Sequence, residues 1–178
     1  MTDVGHRSPE PDEAAPGWSV RHVAYGDPDA VALTEEVQEI YVERYGGPDA
    51  TPLDPLMFDP PEGSFFVGYL DGVPAASGAW RRSPAGALGV EPGSGAAVEI
   101  KRMYVRPAFW RRGLARRMLS HLEADAAASG ARLVVLETGD QQPEAIELYL
   151  SSGYTPIPGF GYYADSPSSR SFAKLLHP

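Results

Sequence analysis

Lys101-Arg102-Met103-Tyr104-Val105-Arg106-Pro107-Ala108-Phe109-Trp110-Arg111-Arg112-Gly113-Leu114-Ala115-Arg116-Arg117 is the stretch on which the fold turns. It closes a strand, bends at Pro107 and enters a helix near Gly113. Seven of the chain's 15 basic residues lie in it, with no acid among them, although the whole chain carries a formal net charge of −9. Peptide N–H groups at a helix start lack partners, and the helix dipole favours an anion there. Gly113 lets the backbone come close to a bulky anionic group, and Ala115 keeps that approach open. The combination suits a pyrophosphate held by main-chain donors with arginines around it. A basic, solvated helix face is the plain alternative, but the clustering and the strand–Gly–helix setting favour the anion site. No G-x-x-x-x-G-K-[ST] is present and no G-x-G-x-x-G follows a strand, so nucleoside triphosphates and dinucleotides fall in rank.

Downstream, Leu114, Met118, Leu119 and Leu122 give that helix its apolar face, and Gly130 ends it. Residues 133–136 form a short apolar run that suits a strand buried on both faces. A second helix opens at Pro143, carries Ile146, Tyr149 and Leu150 on one side, and closes at Gly153. Residues 160–163 and 171–176 are expected to make a terminal strand pair. Upstream, residues 18–23 read as a first strand and residues 31–45 as a helix stopped by Gly46-Gly47-Pro48. Four prolines keep residues 51–63 irregular. Residues 65–70 and 73–80 are strands joined by Asp71-Gly72, a two-residue hairpin signal. Residues 83–95 read as a flexible connection leading to a strand over 97–105. The order is that of a mixed α/β domain, hairpins on one side and crossovers on the other.

A chain of 178 residues holds one well-buried domain. Residues 1–17, rich in Pro, Glu, Asp and Ala, read as a disordered tail, leaving residues 18–178 as the domain. The tail lacks the apolar core of a signal peptide, and no apolar run approaches the ~20 residues that span a bilayer. Cytoplasmic residence is expected. Net acidity argues against nucleic acid and anionic membrane as partners. There is no cysteine, which excludes a disulfide framework, a thiolate metal site and a thiol nucleophile. The four histidines are too dispersed for a metal-ligand spacing, so no metal is expected.

Three segments together resemble the GNAT superfamily of N-acetyltransferases. Residues 99–107, Glu-Ile-Lys-Arg-Met-Tyr-Val-Arg-Pro, look like its fourth strand and the following turn. Trp110-Arg111-Arg112-Gly113-Leu114-Ala115 resembles its acetyl-CoA signature, Gln/Arg-x-x-Gly-x-Gly/Ala. Ala145-Ile146-Glu147-Leu148-Tyr149 with Gly153-Tyr154 resembles its fourth-helix pattern, Asn-x-x-Ala-x-x-x-Tyr then Gly-Phe/Tyr. Trp110 stands where the signature has Gln or Arg, and Gln142 where the helix pattern has Asn. The resemblance implies a mixed, mostly antiparallel sheet of six to seven strands, splayed between the fourth and fifth, with about four flanking helices. It implies that Met103, Tyr104 and Val105 meet the pantetheine arm of acetyl-CoA through the strand edge. Arg111, Arg112, Gly113, Leu114, Ala115 and Arg116 would wrap the pyrophosphate, with Gln142 supplying an amide contact. GNAT domains also often form homodimers.

The implied reaction moves the acetyl group of acetyl-CoA to a primary amine, with a small molecule as the expected acceptor. Lacking cysteine, the chain suits direct attack in a ternary complex. Glu99, on a central strand beside the splay, is the candidate base; pairing with Lys101 or Arg102 is its structural alternative. Tyr149, a phenol protonated at neutral pH, is the candidate acid for the departing sulfur; a place in the core is its alternative. Tyr41, Tyr45, Trp80 and Tyr163 are candidates to line the acceptor pocket. A non-catalytic protein that binds or senses acetyl-CoA would keep the same cradle.

Overall fold

The computed structural model describes residues 17–83 and 96–176. The tail over residues 1–16 and most of the connection before residue 96 lie outside the described residues. Seven strands form a single sheet: β1 (Trp18–Val23), β2 (Gly63–Leu70), β3 (Val73–Arg82), β4 (Ala97–Val105), β5 (Leu133–Gly139), β6 (Thr155–Ile157) and β7 (Ser169–Leu175). Their order is β1-β2-β3-β4-β5-β7-β6. Every neighbouring pair is antiparallel except β4 and β5. Three α-helices lie among the described residues: α1 (Pro28–Tyr45), α2 (Leu114–Ala128) and α3 (Pro143–Ser151). The resemblance implied about four; the proline-rich stretch after α1, expected to be irregular, makes only a 3-10 turn, Pro55–Phe58.

Local chemistry sets most boundaries. Asp27 caps α1 by accepting the Asp29 N–H at 2.9 Å, and Pro28 takes the first helical position, so the helix starts three residues before the apolar periodicity does. Asp71 (φ 51°) and Gly72 (φ 80°) make the tight turn between β2 and β3. The terminal strand pair differs from expectation. The partner of β7 is β6, with Thr155 opposite Ala173 and Ile157 opposite Ser171. Residues Gly161–Tyr163 instead form a 3-10 turn, Gly161 having φ 66°. Pro156 fits β6 because this is the sheet's outer strand, where a missing N–H costs no ladder bond.

The core packs on both sheet faces. On one, Leu33, Val37, Phe58, Phe65, Val67 and Tyr104 pack beneath α1. On the other, α2 presses Met118, Leu119 and Leu122 against Phe66, Trp80, Val98 and Leu136. The close seat of α2 depends on Gly78 in β3, where a Cβ would sit 2.8 Å from Leu122 and 3.0 Å from Met118. Trp80, expected near the acceptor, is 2% exposed, and its indole N–H donates to Asp125 Oδ2 at 2.7 Å. It anchors the far end of α2.

Candidate active site

The parallel pairing of β4 with β5 lasts three residue pairs, Ala97–Leu133, Val98–Val134 and Glu99–Val135, and then stops. Beyond Glu99 the strands part. Residues 100–103 of β4 and 137–139 of β5 line the two walls of a cavity of about 220 Å³. Tyr41 and Tyr45 of α1, Gln142, Tyr149 of α3 and Tyr163 complete the lining. The splay inferred from resemblance is therefore present.

At the end of β4 the Arg106 N–H donates to the Ala75 carbonyl at 2.9 Å, so this peptide faces β3. Strand alternation turns the peptide groups of Met103 and Val105 to the opposite edge, toward the opening. The Trp110 indole N–H donates to the Val105 carbonyl at 2.8 Å. Trp110 thus pins the loop to the strand, although half its surface is exposed. Arg111 (φ 60°) and Gly113 (φ 72°) both adopt left-handed backbone before α2 begins at Leu114. The first helix-start bond runs from the Arg117 N–H to the Gly113 carbonyl, and the N–H groups of residues 111–116 donate to nothing among the described residues. Such a run of free amides forms an anion-binding concavity. A Cβ on Gly113 would meet nothing within 4 Å, so the approach there is open. The residues fit the diphosphate of a coenzyme A thioester.

The side-chain electrostatics differ from the reading of seven phosphate-facing bases. Acids meet three of them, two from far away in sequence: Arg106 pairs with Glu36 at 2.7 Å, Arg102 with Asp49 at 2.6 Å and Lys101 with its near neighbour Glu99 at 2.9 Å. Arg116 reaches the end of α3, donating to Ser151 Oγ at 2.7 Å and Ser152 Oγ at 2.9 Å, which ties the two helices together. Arg111 and Arg112 remain exposed at the mouth, with Arg112 over the Phe109 ring.

Glu99 departs from its expected role. It is 3% exposed, directly opposite Arg81 in the β3–β4 ladder, and absent from the cavity lining. One oxygen accepts from Arg81 Nε at 2.9 Å and the other from Lys101 Nζ at 2.9 Å. With both oxygens held by cations it is an internal counterion at the fork of the splay. The acid in the cavity is Glu137, which sequence reasoning missed. It lies 3.9 Å from Lys101 Nζ and accepts from Ser169 Oγ at 3.5 Å. Burial lifts its carboxyl to about 7; Lys101 restrains the rise, while Glu99 and Asp49 add to it. The available signal was its position as the first charged residue after a four-residue apolar strand.

Tyr149 is buried, lines the cavity, and packs edge-on to Tyr154 with ring centroids 5.7 Å apart. Its hydroxyl makes no hydrogen bond among the described residues, and burial, with Tyr41 nearby, raises its pKa further above the ordinary phenol value. Gln142 Nε2 lies 3.5 Å from the Tyr45 hydroxyl, so its arm reaches the cavity rim. Tyr163 accepts the Ala50 N–H at 2.8 Å and donates to Asp49 at 3.2 Å. Burial acts to raise the Asp49 carboxyl, but hydrogen bonds from Thr51 and Arg102 outweigh it and hold the group at about 2.

A mixed sheet opened after three parallel pairs, with a helix start that follows β4 and lacks partners among the described residues, is the fold of an acyltransferase class of protein. The model of the acetyltransferase (GNAT) family matches residues 34–154. The chain is also 32% identical over 146 residues to an IAA acetyltransferase of Azospirillum brasilense, covering 82% of this chain and 90% of the relative. This chain belongs to the GNAT acetyltransferase family. Among solved structures, a Klebsiella pneumoniae protein described as an acyl-CoA N-acyltransferase superposes with TM-score 0.71 at 25% identity, covering 90% of this chain and 98% of that one. A GNAT acetyltransferase from Elizabethkingia anophelis with acetyl-CoA bound shares the fold at TM-score 0.61 and 13% identity, covering 91% and 100%.

If Glu99 is a structural counterion, Glu99→Gln leaves Arg81 and Lys101 buried without their shared charge. The expected loss is about 3 kcal/mol of unfolding free energy, read by urea denaturation. An unchanged midpoint would contradict the assignment.

Proposed function

We propose that this chain transfers the acetyl group of acetyl-CoA to a primary amine on a small-molecule acceptor, by direct attack within a ternary complex. The observation that carries the reading is the run of amides over residues 111–116, without partners among the described residues, in the loop and helix start that follow β4, one of the two strands of the opening. The edge at Met103 and at the Val105 N–H suits the amide-bearing pantetheine arm, the Val105 carbonyl being taken by Trp110, with Tyr104 fixing the strand by packing beneath α1. Main-chain groups of Arg111, Arg112, Gly113, Leu114, Ala115 and Arg116 hold the diphosphate, and Gln142 lends an amide at the cavity rim. The acetyltransferase name of the Azospirillum relative supports acetyl as the group moved.

The chemistry follows from the side chains in the cavity. An acceptor amine must be neutral to attack, and Glu137, with its carboxyl at about 7, takes its proton and holds it near neutral pH. The new C–N bond forms at the thioester carbon, the C–S bond breaks, and the nitrogen gives up its second proton to the medium as the amide forms. Tyr149 stays protonated throughout the working range and donates a hydrogen bond to sulfur as negative charge collects there. Full proton transfer from so weak an acid to a thiolate of ordinary pKa near ~8.5 is uphill, so Tyr149 stabilises the leaving group and the thiol regains its proton from the medium. The absence of cysteine makes an acetyl-cysteine intermediate impossible.

The overall test is acetyl-CoA-dependent thiol release across a panel of amines. Tight acetyl-CoA binding with no release from any acceptor would favour the non-catalytic sensing reading.

Three variants check the parts. Gly113→Glu places a carboxylate in the diphosphate site and should abolish acetyl-CoA binding in a folded protein; unchanged calorimetric affinity would refute the cradle. Glu137→Gln should lower kcat by about 10² or more. In the wild type, kcat/KM should rise with pH through about 7 as Glu137 loses its proton, and that limb should vanish in the variant. Tyr149→Phe should lower kcat about tenfold or more with cofactor affinity nearly unchanged; wild-type turnover would remove Tyr149 from the reaction.

A further inference from the structure

The wall of the cavity formed by β4 carries a feature the transfer chemistry does not use. Arg102 has left-handed backbone (φ 57°), at a bulge where the β3–β4 register shifts between Ser77 and Ala79. The bulge breaks the strand's alternation, so Lys101 and Arg102 both line the cavity. The strained turn is locked by Ser77, whose hydroxyl donates to the Arg102 carbonyl at 2.9 Å. A non-glycine residue held in this region costs energy and is retained where a side chain must be aimed.

The Arg102 side chain is 5% exposed, yet its donors are only partly satisfied. Nη1 donates to Asp49 Oδ2 at 2.6 Å. Nε is buried with no partner, and Nη2 makes no hydrogen bond among the described residues. The Nη2–H group is a charged donor that suits a carboxylate oxygen. Asp49 holds the opposite end and is itself fixed by Thr51 and Tyr163. Asp49 therefore fixes the guanidinium, Nε lying buried behind it and Nη2 left without a protein partner, in a lining that also holds Tyr41, whose hydroxyl makes no hydrogen bond among the described residues. Across the opening, on β5, stands Glu137, the group proposed to receive the amine. One wall offers a cationic donor and the other an acid, a pairing that suits a zwitterion.

We propose that the acceptor is an amino acid or a closely similar amino-carboxylate, its carboxylate held by Arg102 through Nη2 and its amine turned toward Glu137. This rests on the acetyl-transfer reading for the amine but not for the carboxylate, because binding can be measured without turnover. Small size agrees with a cavity of about 220 Å³. Arg102→Lys keeps the charge that Asp49 needs and removes the Nη2 donor.

The experiment compares free amino acids, their methyl esters and the matching decarboxylated amines on the wild-type protein. Thiol release measures transfer, and calorimetry with coenzyme A present measures binding. The expected result is a preference of about a hundredfold for the free acid, with Arg102→Lys raising KM for the acid at least about tenfold and sparing the amine. Esters or decarboxylated amines used as well as the acids by the wild type would overturn the proposal, whatever the variant does. Should no acceptor release thiol while the acids still bind in an Arg102-dependent way, the carboxylate site stands and the transfer reading falls. Absence of both release and binding for every amino acid overturns the carboxylate site.

Discussion

Three residue pairs of parallel ladder, ending at Glu99 and Val135, are the constraint on which the site depends. Short pairing lets the rest of β4 and β5 diverge, and divergence leaves strand edges that no neighbouring strand satisfies. Buried backbone edges without partners are costly, so the main-chain groups along the opening are ready donors and acceptors for whatever enters it. The same point carries the sheet's charge. Glu99 lies between Arg81 and Lys101, and Lys101 faces Glu137 across the gap. Fork and charge network are one construction: the acid on β5 lies beside a cation on β4, and that cation needs Glu99 to offset its burial.

This arrangement explains why the basic segment is less free than its composition suggests. A run of seven cations would repel itself strongly. Glu36 from α1 and Asp49 from the following loop neutralise Arg106 and Arg102, and Arg116 leans on α3. What remains for a phosphate group is chiefly main-chain, the amides over residues 111–116, with Arg111 and Arg112 at the rim. Peptide donors fixed by left-handed residues need little reorganisation when an anion arrives, whereas exposed arginines must first be ordered.

Much of the fold was legible because it rests on local rules. The Asp71-Gly72 turn, the apolar face of α2 and the Gly113 entry each follow from residues within a few positions of one another. The same is true of the helix that carries Tyr149. The misreadings have a common physical origin. Glu99 resembles a base until its cross-strand neighbour Arg81 is known, eighteen residues back, and Glu137 becomes interesting only once Lys101 and the parting strands surround it. Trp80 differs for the same reason, since its partner Asp125 sits on a helix packed from the far side. Residues 160–163 carry three aromatic rings that suit a strand, but Gly161 turns the chain, and the short β6 with Pro156 takes the edge. Tyr163 reaches the cavity all the same, from a turn.

The partition between the two halves of the site follows from this. The proposed coenzyme cradle is backbone at a helix start, a geometry that short sequence spans encode, and so it was legible in the chain alone. The cavity is lined by side chains from α1, the loop carrying Asp49, β4, β5 and the turn at Tyr163, drawn together across more than a hundred residues. Each of those groups is constrained by a partner rather than by a motif. Asp49 is held by Thr51, Arg102 by Asp49, and Glu137 by Lys101. A substitution at one member changes the poise of the next, so acceptor choice can shift through partner changes while the phosphate cradle stays as it is.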